Sequence, residues 1–396
     1  MSAERAPIFD DVERTDAAPS GHGESTFDFL NRVAGEYWLH PRQLMQTWAD
    51  QIPDPPDYND LRQRFRSHDD EQFRSAILEL YLHECLTRAG YRVTIHPSLP
   101  ATTRRPDFYA ERAGAGFYLE AIAPGASPEA KAAARRRAVL FDTVNRLGDP
   151  NFLLWLSALR EVPRPPASAR LREDLRRWLS QLNPDDFTDL ETAPEHHWEH
   201  DGWAATFKPI PRRPDARGRP PQSAIGVYAH QGVRVIDDAP AIRNALAAKH
   251  HAYGDLGAPF VVAVGTYIHD PDRRHSANAL YGQEAVQVGE TSDGGTITRT
   301  VRQSDGYFGV PGNWQHQNVS GVLLINQLMP YYFHNAEVTL WRHPDPLHPL
   351  ADGLLLPAVT IDFDGSRLIE TPATVTAAEM FELPDPWPPG ERWPDD

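Results

Sequence analysis

Three carboxylates in the first third of the chain, Glu79, Asp107 and Glu120, are spaced so that folding could direct them at one point. Glu120 falls inside the apolar run Phe117–Ala123, whose side chains alternate if it is a strand. Tyr118, Glu120 and Ile122 then share one face, and Phe117, Leu119, Ala121 and Ala123 the other. A carboxylate in such a run is partly buried and needs a cation, a donor or a metal to offset its desolvation. Asp107 opens the preceding run, in Arg105-Pro106-Asp107-Phe108, so a hairpin between the two runs brings it near Glu120. Glu79 stands three residues after Ala76 and three before Leu82, toward the apolar face of a helix. Carboxylates converging from three elements suit a hard divalent cation such as Mg2+ or Mn2+. Arg104, Arg105, Arg135 and Arg136 are near enough in sequence to pair with them instead.

The elements that must position these groups can be read from periodicity. Phe73, Ala76, Ile77, Leu80, Tyr81 and Cys85 recur at three and four residues, so residues 70–89 form a helix. Asp69 or Asp70 caps it and Gly90 ends it. Strands follow at Tyr91–His96, Asp107–Glu111 and Phe117–Ala123, the last two joined by a Gly-containing turn. Ser127-Pro128-Glu129 opens a helix running to about Leu147, and Asn151–Ser157 is a buried apolar strand.

This α-β-β-β-α-β order over residues 71–160 resembles the PD-(D/E)XK nuclease superfamily, with Glu79 on the first helix, Pro106-Asp107 opening a strand and Glu120 on the next. The resemblance implies a restriction-endonuclease-like core and Mg2+- or Mn2+-dependent hydrolysis of phosphodiester bonds in DNA or RNA. It makes Asp107 and Glu120 the two acidic residues of the motif, and Glu79 the glutamate often supplied by the first helix. All three become metal ligands. The motif's lysine belongs two residues after Glu120, where this chain has Ile122. Lys131, in the first turn of the next helix, is the best substitute; Lys249 and Lys208 are the only other lysines. His83, one turn after Glu79 on the same face, could handle protons. The departure at Ile122 opens a second reading, an inactive nuclease fold that binds nucleic acid or protein.

Composition narrows the classes. The 396 residues carry 39 basic and 55 acidic side chains, a net charge of −16. Residues 71–180 nevertheless hold 17 basic and 12 acidic residues, so the proposed site lies in a locally basic stretch. Arginine far outnumbers lysine and there are 37 prolines, which reads as a GC-rich bacterial coding style. No apolar run approaches the roughly 18–20 residues that span a bilayer. The acidic start has no signal-peptide pattern. The single Cys85 excludes an internal disulfide, a multi-cysteine zinc site and an iron–sulfur cluster, and fits a reducing cytoplasm. The His196/His200 pair lies on a hairpin arm, about 13 Å apart, too far to share an ion.

The expected architecture is α/β, a mixed β-sheet with flanking helices. Its parts are a disordered tail (1–25), a helical segment (26–70), the nuclease-like core (71–160), an α/β extension packed on that core (161–350), and a hairpin with an acidic proline-rich tail (351–396).

Overall fold

In the computed structural model the described residues are 5–100, 102–187, 192–219, 224–228, 238–247, 253–290 and 296–393. Chain order runs α1 (Thr26–Arg32), α2 (Glu36–Asp50), α3 (Pro55–Phe65), α4 (Asp70–Arg88), β1 (Arg92–Ile95), β2 (Phe108–Arg112), β3 (Ala115–Ile122), α5 (Pro128–Asn145), β4 (Phe152–Arg160), α6 (Ser168–Leu179), β5 (His196–His200), β6 (Trp203–Pro211) and β7 (Ile225–Tyr228). It continues through α7 (Ala239–Ala247), β8 (Phe260–Thr266), α8 (Arg274–Tyr281), β9 (Glu284–Glu290), β10 (Thr296–Arg302), β11 (Gly309–Val310), β12 (Asn313–Trp314), β13 (Gly321–Asn326), β14 (Glu337–Arg342), β15 (Val359–Phe363), β16 (Leu368–Thr371) and α9 (Ala377–Met380).

Two units divide the chain. The first comprises Met1–Glu13, Ala34–Gly125 and Ile236–Asp396, and the second Arg14–Val33 and Ala126–Val235. The first unit is built on an eight-stranded mixed sheet, ordered β1-β2-β3-β8-β13-β14-β15-β16. Its first three strands are antiparallel, whereas β3 pairs with β8, and β8 with β13, in parallel. Every residue of β8 and β13 is buried, as central strands covered on both faces require. The second unit holds the sheet β5-β6-β4-β7. Leu140 and Val144 of α5 and Leu171, Leu175 and Leu179 of α6 form a core there with Phe152, Leu154, Leu156, Trp203 and Phe207.

This division corrects the expected core. The helices and strands of residues 71–160 are present, but β4 does not join β3. The strand beside β3 in the first sheet is β8, which follows α7, and residues 126–235 fall before them in the chain as part of the second unit. Residues 161–350 are accordingly no single extension: their first part belongs to the second unit, and their later strands form the middle of the main sheet. The physical reason is that an apolar run specifies burial and not its neighbour. Asn151–Ser157 and Phe260–Thr266 both qualify as buried strands, and proximity in sequence favours the wrong one.

Local geometry sets the register at the carboxylates. The Asp69 side chain accepts from the Glu71 amide to start α4, and Gly90 follows its end at φ 80°. The β2–β3 hairpin turns through Ala113 and Gly114, both at positive φ (52° and 81°), which matches the twist of the flanking strands. Phe108 pairs with Leu119, so one further step places Asp107 opposite Glu120. Across the sheet Glu120 pairs with Val262 and Ile122 with Val264. Val262, Val264 and Ile122 share a core with Ile242 and Leu246 of α7. A Cβ on Gly265 would meet Leu78 of α4 at 3.3 Å. The strand alternation therefore points Glu120 toward α7, while α4, which carries Glu79, covers the opposite face.

Both expected tails need correction where they are described. Ile8 is fully buried and Phe9 nearly so. Arg5 donates to the Ile52 and Pro53 carbonyls, and Arg66 donates to that of Ile8. At the other end Phe381 is buried 4.7 Å from the Trp48 ring, and Trp387 donates to the Pro330 carbonyl. Isolated apolar side chains among prolines and charges have no period, yet each fills a pocket. No helix among the described residues is long and apolar enough to cross a membrane. Ile8→Ala is expected to lower unfolding free energy by about 2–4 kcal/mol in urea titration. A loss below about 0.5 kcal/mol would restore the loose-tail reading.

Candidate functional site

Asp107 and Glu120 lie on neighbouring strands, one step beyond the Phe108–Leu119 pair. Asp107 Oδ2 accepts the Ala121 amide at 2.7 Å, a bond that ties it directly to β3. Glu120 is only 2% exposed, and its Oε2 accepts the Tyr253 hydroxyl at 2.7 Å. The same hydroxyl lies 3.0 Å from the Arg105 carbonyl oxygen. One phenolic proton serves one acceptor at a time, and the charged carboxylate is the stronger. Burial pushes the Tyr253 hydroxyl up, the Glu120 bond and charge add to this, Asp107 adds more, and Arg104 opposes it. Tyr253 is thus a neutral donor among two carboxylates and an arginine. Its ring is set edge-on to Phe260 at 5.8 Å.

Glu79 is placed differently. Arg64 of α3 grips both its oxygens, Nη1 on Oε1 at 2.5 Å and Nη2 on Oε2 at 2.6 Å, and the Ser75 hydroxyl adds a contact at 3.2 Å. Burial opposes the Arg64 charge, but Glu79 and Asp60 together outweigh it and raise its pKa above the ordinary value. Glu79 and Asp107 line one cavity of about 340 Å3, open mouth included, with Asp57, Arg64, His83 and His96. His83 is 6% exposed, its Nδ1 has no hydrogen-bond partner, and burial lowers its pKa.

The other candidates lie elsewhere. Lys131 is in the first turn of α5, in the second unit, whereas all three carboxylates are in the first. Lys208 pairs with Glu195 at 3.3 Å and sits over the Trp155 ring. Lys249 is outside the described residues. Ile122 is 9% exposed, packed in the core beneath α7. Of the arginines weighed as partners, Arg137's neighbours Arg135 and Arg136 also belong to α5 of the second unit. His196 bonds Asp174 at 2.7 Å and stacks on Trp178, while His200 faces Asp201 at 3.3 Å.

These placements decide how a divalent cation would fit. Among the described residues no group of three metal-ligating side chains is assembled, and the Arg64 fork removes Glu79 from the expected set. Asp107 and Glu120 are hard oxygen donors on neighbouring strands, and each has further partners within the fold. Such donors suit Mg2+, which takes one or two carboxylates and completes its shell with water and substrate oxygens. Sequence reasoning missed Arg64, Tyr253, Asp57 and His96. Arg64 and Asp57 are on α3, His96 follows β1 and Tyr253 lies beyond the inserted residues, so no spacing local to the carboxylates marks them. Comparison with protein-family models, curated proteins and solved structures gives no match.

Tyr253→Phe removes a donor from a buried carboxylate and is expected to cost about 1–3 kcal/mol of stability in urea unfolding. Adding Glu120→Gln should recover part of it; an unchanged stability would deny the bond. Burial keeps His83 neutral, so the folded chain binds this proton less readily than the unfolded chain, whose histidines titrate near about 6.5. Stability should fall as pH drops below that value, and fall less in His83→Gln, read as thermal midpoints between pH 7.5 and 5. Equal pH slopes would contradict it.

Proposed function

We propose that this chain is a divalent-cation-dependent phosphodiester hydrolase with a nuclease-like core, acting on DNA or RNA. The observation that carries the reading is the opposition of Asp107 and Glu120 across neighbouring strands, near the C-terminal end of β3. That is where open α/β sheets commonly bind ligands. The order α4-β1-β2-β3, followed after the insertion by α7 and β8 with β8 parallel to β3, supports it too. It matches the α-β-β-β-α-β order of the family the sequence resembles.

In this reading Asp107 and Glu120 hold Mg2+ or Mn2+. A bound cation would make an attacking water more acidic and neutralise charge on the phosphate. The Ala121 amide fixes Asp107, and Tyr253 fixes Glu120. Glu79 is left out of the ligand set. The lysine of this reading is not assigned: Lys131 is on α5 of the second unit, and Lys249 lies outside the described residues. A cytoplasmic setting goes with this reading, since the single Cys85 leaves no internal disulfide to require an oxidising compartment. Ile122 favours a second reading: β3 offers an apolar side chain where the family keeps a lysine, as in a fold retained for binding alone.

The test is a nuclease panel on single- and double-stranded DNA and RNA with Mg2+, Mn2+ or a chelator. The expected result is cation-dependent cleavage, reduced at least about 100-fold in Asp107→Asn and Glu120→Gln but less than about tenfold in Glu79→Gln. Cleavage undiminished in the first two variants would overturn the assignment. Binding without cleavage under every cation would favour the second reading.

A further inference from the structure

We infer that the cavity at the turn end of the β2–β3 hairpin binds a small organic anion, its apolar body against Phe117 and Leu350 and its acidic group on Arg112. The inference is independent of the hydrolase reading. Asp107 and Glu120 lie at the other end of the same hairpin, and every residue lining this cavity belongs to the first unit.

The cavity measures about 1060 Å3, open mouth included. Clefts that hold small organic ligands run to roughly 300–1,000 Å3. Its floor is apolar: Phe117 of β3 is 4% exposed and Leu350 is 8% exposed. Tyr91, just before β1, stands edge-on to Phe117 at 5.6 Å and forms an aromatic side wall. Pro259 and Pro349 extend the apolar lining, and neither has an N–H to offer. A Cβ on Gly353 would meet nothing within 4 Å, so the mouth is open there.

The wall that carries Leu350 is fixed in place. Residues 343–358 have no regular secondary structure. Arg342 grips them: Nη2 donates to the Leu350 and Ala351 carbonyls at 3.0 and 2.8 Å, and Nη1 to Asp352 Oδ1 at 2.8 Å. The Ser320 hydroxyl also donates to the His348 carbonyl. A loop held this way keeps the cavity formed before a ligand arrives, which lowers the ordering cost of binding.

Charge decides the class of ligand. Two charged side chains line the cavity, Arg112 and Asp352, and Asp352 is committed to Arg342. The neighbouring Glu111 is taken by Arg92 at 2.8 Å, and Arg112 forms no ion pair with a carboxylate among the described residues. Its guanidinium lies 6.0 Å from the Tyr91 ring centroid, a cation–π contact, and also acts on the Tyr91 hydroxyl. A guanidinium has five N–H donors, so these contacts leave several for a carboxylate, sulfonate or phosphate. Arg112 is exposed whereas Phe117 and Leu350 are buried, so the cavity is apolar below and cationic at its rim. An anion with an apolar body satisfies both parts. A neutral apolar molecule uses only the floor, and a cation meets Arg112 as a like charge.

The experiment titrates the full chain with anilinonaphthalene sulfonate, an apolar anionic dye, and with the neutral dye Nile red. Thermal midpoints of every variant are recorded without dye. Wild type should bind the sulfonate at one saturable site and be stabilised by it. Arg112→Gln should weaken the sulfonate about tenfold and leave Nile red unchanged. Arg112→Lys should recover most of that loss. Ala351→Trp, at an exposed position of the lining, should fill the cavity and weaken both dyes. Because Arg112 and Ala351 are exposed, the midpoints should stay near that of wild type. Decanoate or naphthyl phosphate should displace the sulfonate, and the stronger competitor tells an aliphatic acid from an aromatic phosphate. Absence of saturable sulfonate binding would overturn the inference, as would displacement by neither competitor. Sulfonate binding unchanged in Arg112→Gln or in Ala351→Trp would overturn it too. So would an Arg112→Gln that weakens both dyes equally, the pattern of an arginine that shapes the cavity without reading charge.

Discussion

Two carboxylates on neighbouring strands repel each other, and burying one of them removes the water that would screen the repulsion. Glu120 is in this position beside Asp107, and much of the first unit is arranged around it. The hairpin turn at Ala113-Gly114 sets the register that brings the two together. The Ala121 amide and the Tyr253 hydroxyl supply hydrogen bonds. Arg104 adds its charge beside Tyr253, His96 faces Asp107, and both carboxylates have further partners in the fold.

The third carboxylate shows the contrast. Glu79 receives its compensation within the protein, from a guanidinium that matches both oxygens and also bonds Asp60. A carboxylate held this way contributes to the packing of α3 on α4 and has less to offer a metal. The difference between Glu79 and Glu120 lies in their partners and not in their burial alone.

The local part of this arrangement was legible in the sequence. The period of α4 and the alternation of β3 put Glu79 and Glu120 on their faces, and Pro106-Asp107 marked where β2 begins. What was not legible depends on distant pairing. Asn151–Ser157 and Phe260–Thr266 are both apolar runs, and only the fold shows that the second lies beside β3. Arg64 is on the helix before that of Glu79, and Tyr253 follows Glu120 across the inserted second unit. Ile8 and Phe381 were obscured because a single apolar residue in a polar segment has no periodicity to report its burial.

The proposed function stands or falls on whether Asp107 and Glu120 together hold a divalent cation. The most direct measurement is an anomalous difference map from crystals of the chain grown with Mn2+. The account requires a peak within about 2.2 Å of both carboxylates, with none at Glu79. An empty site at saturating Mn2+, or a lysine ammonium or arginine guanidinium bridging the two carboxylates in place of the ion, would contradict it.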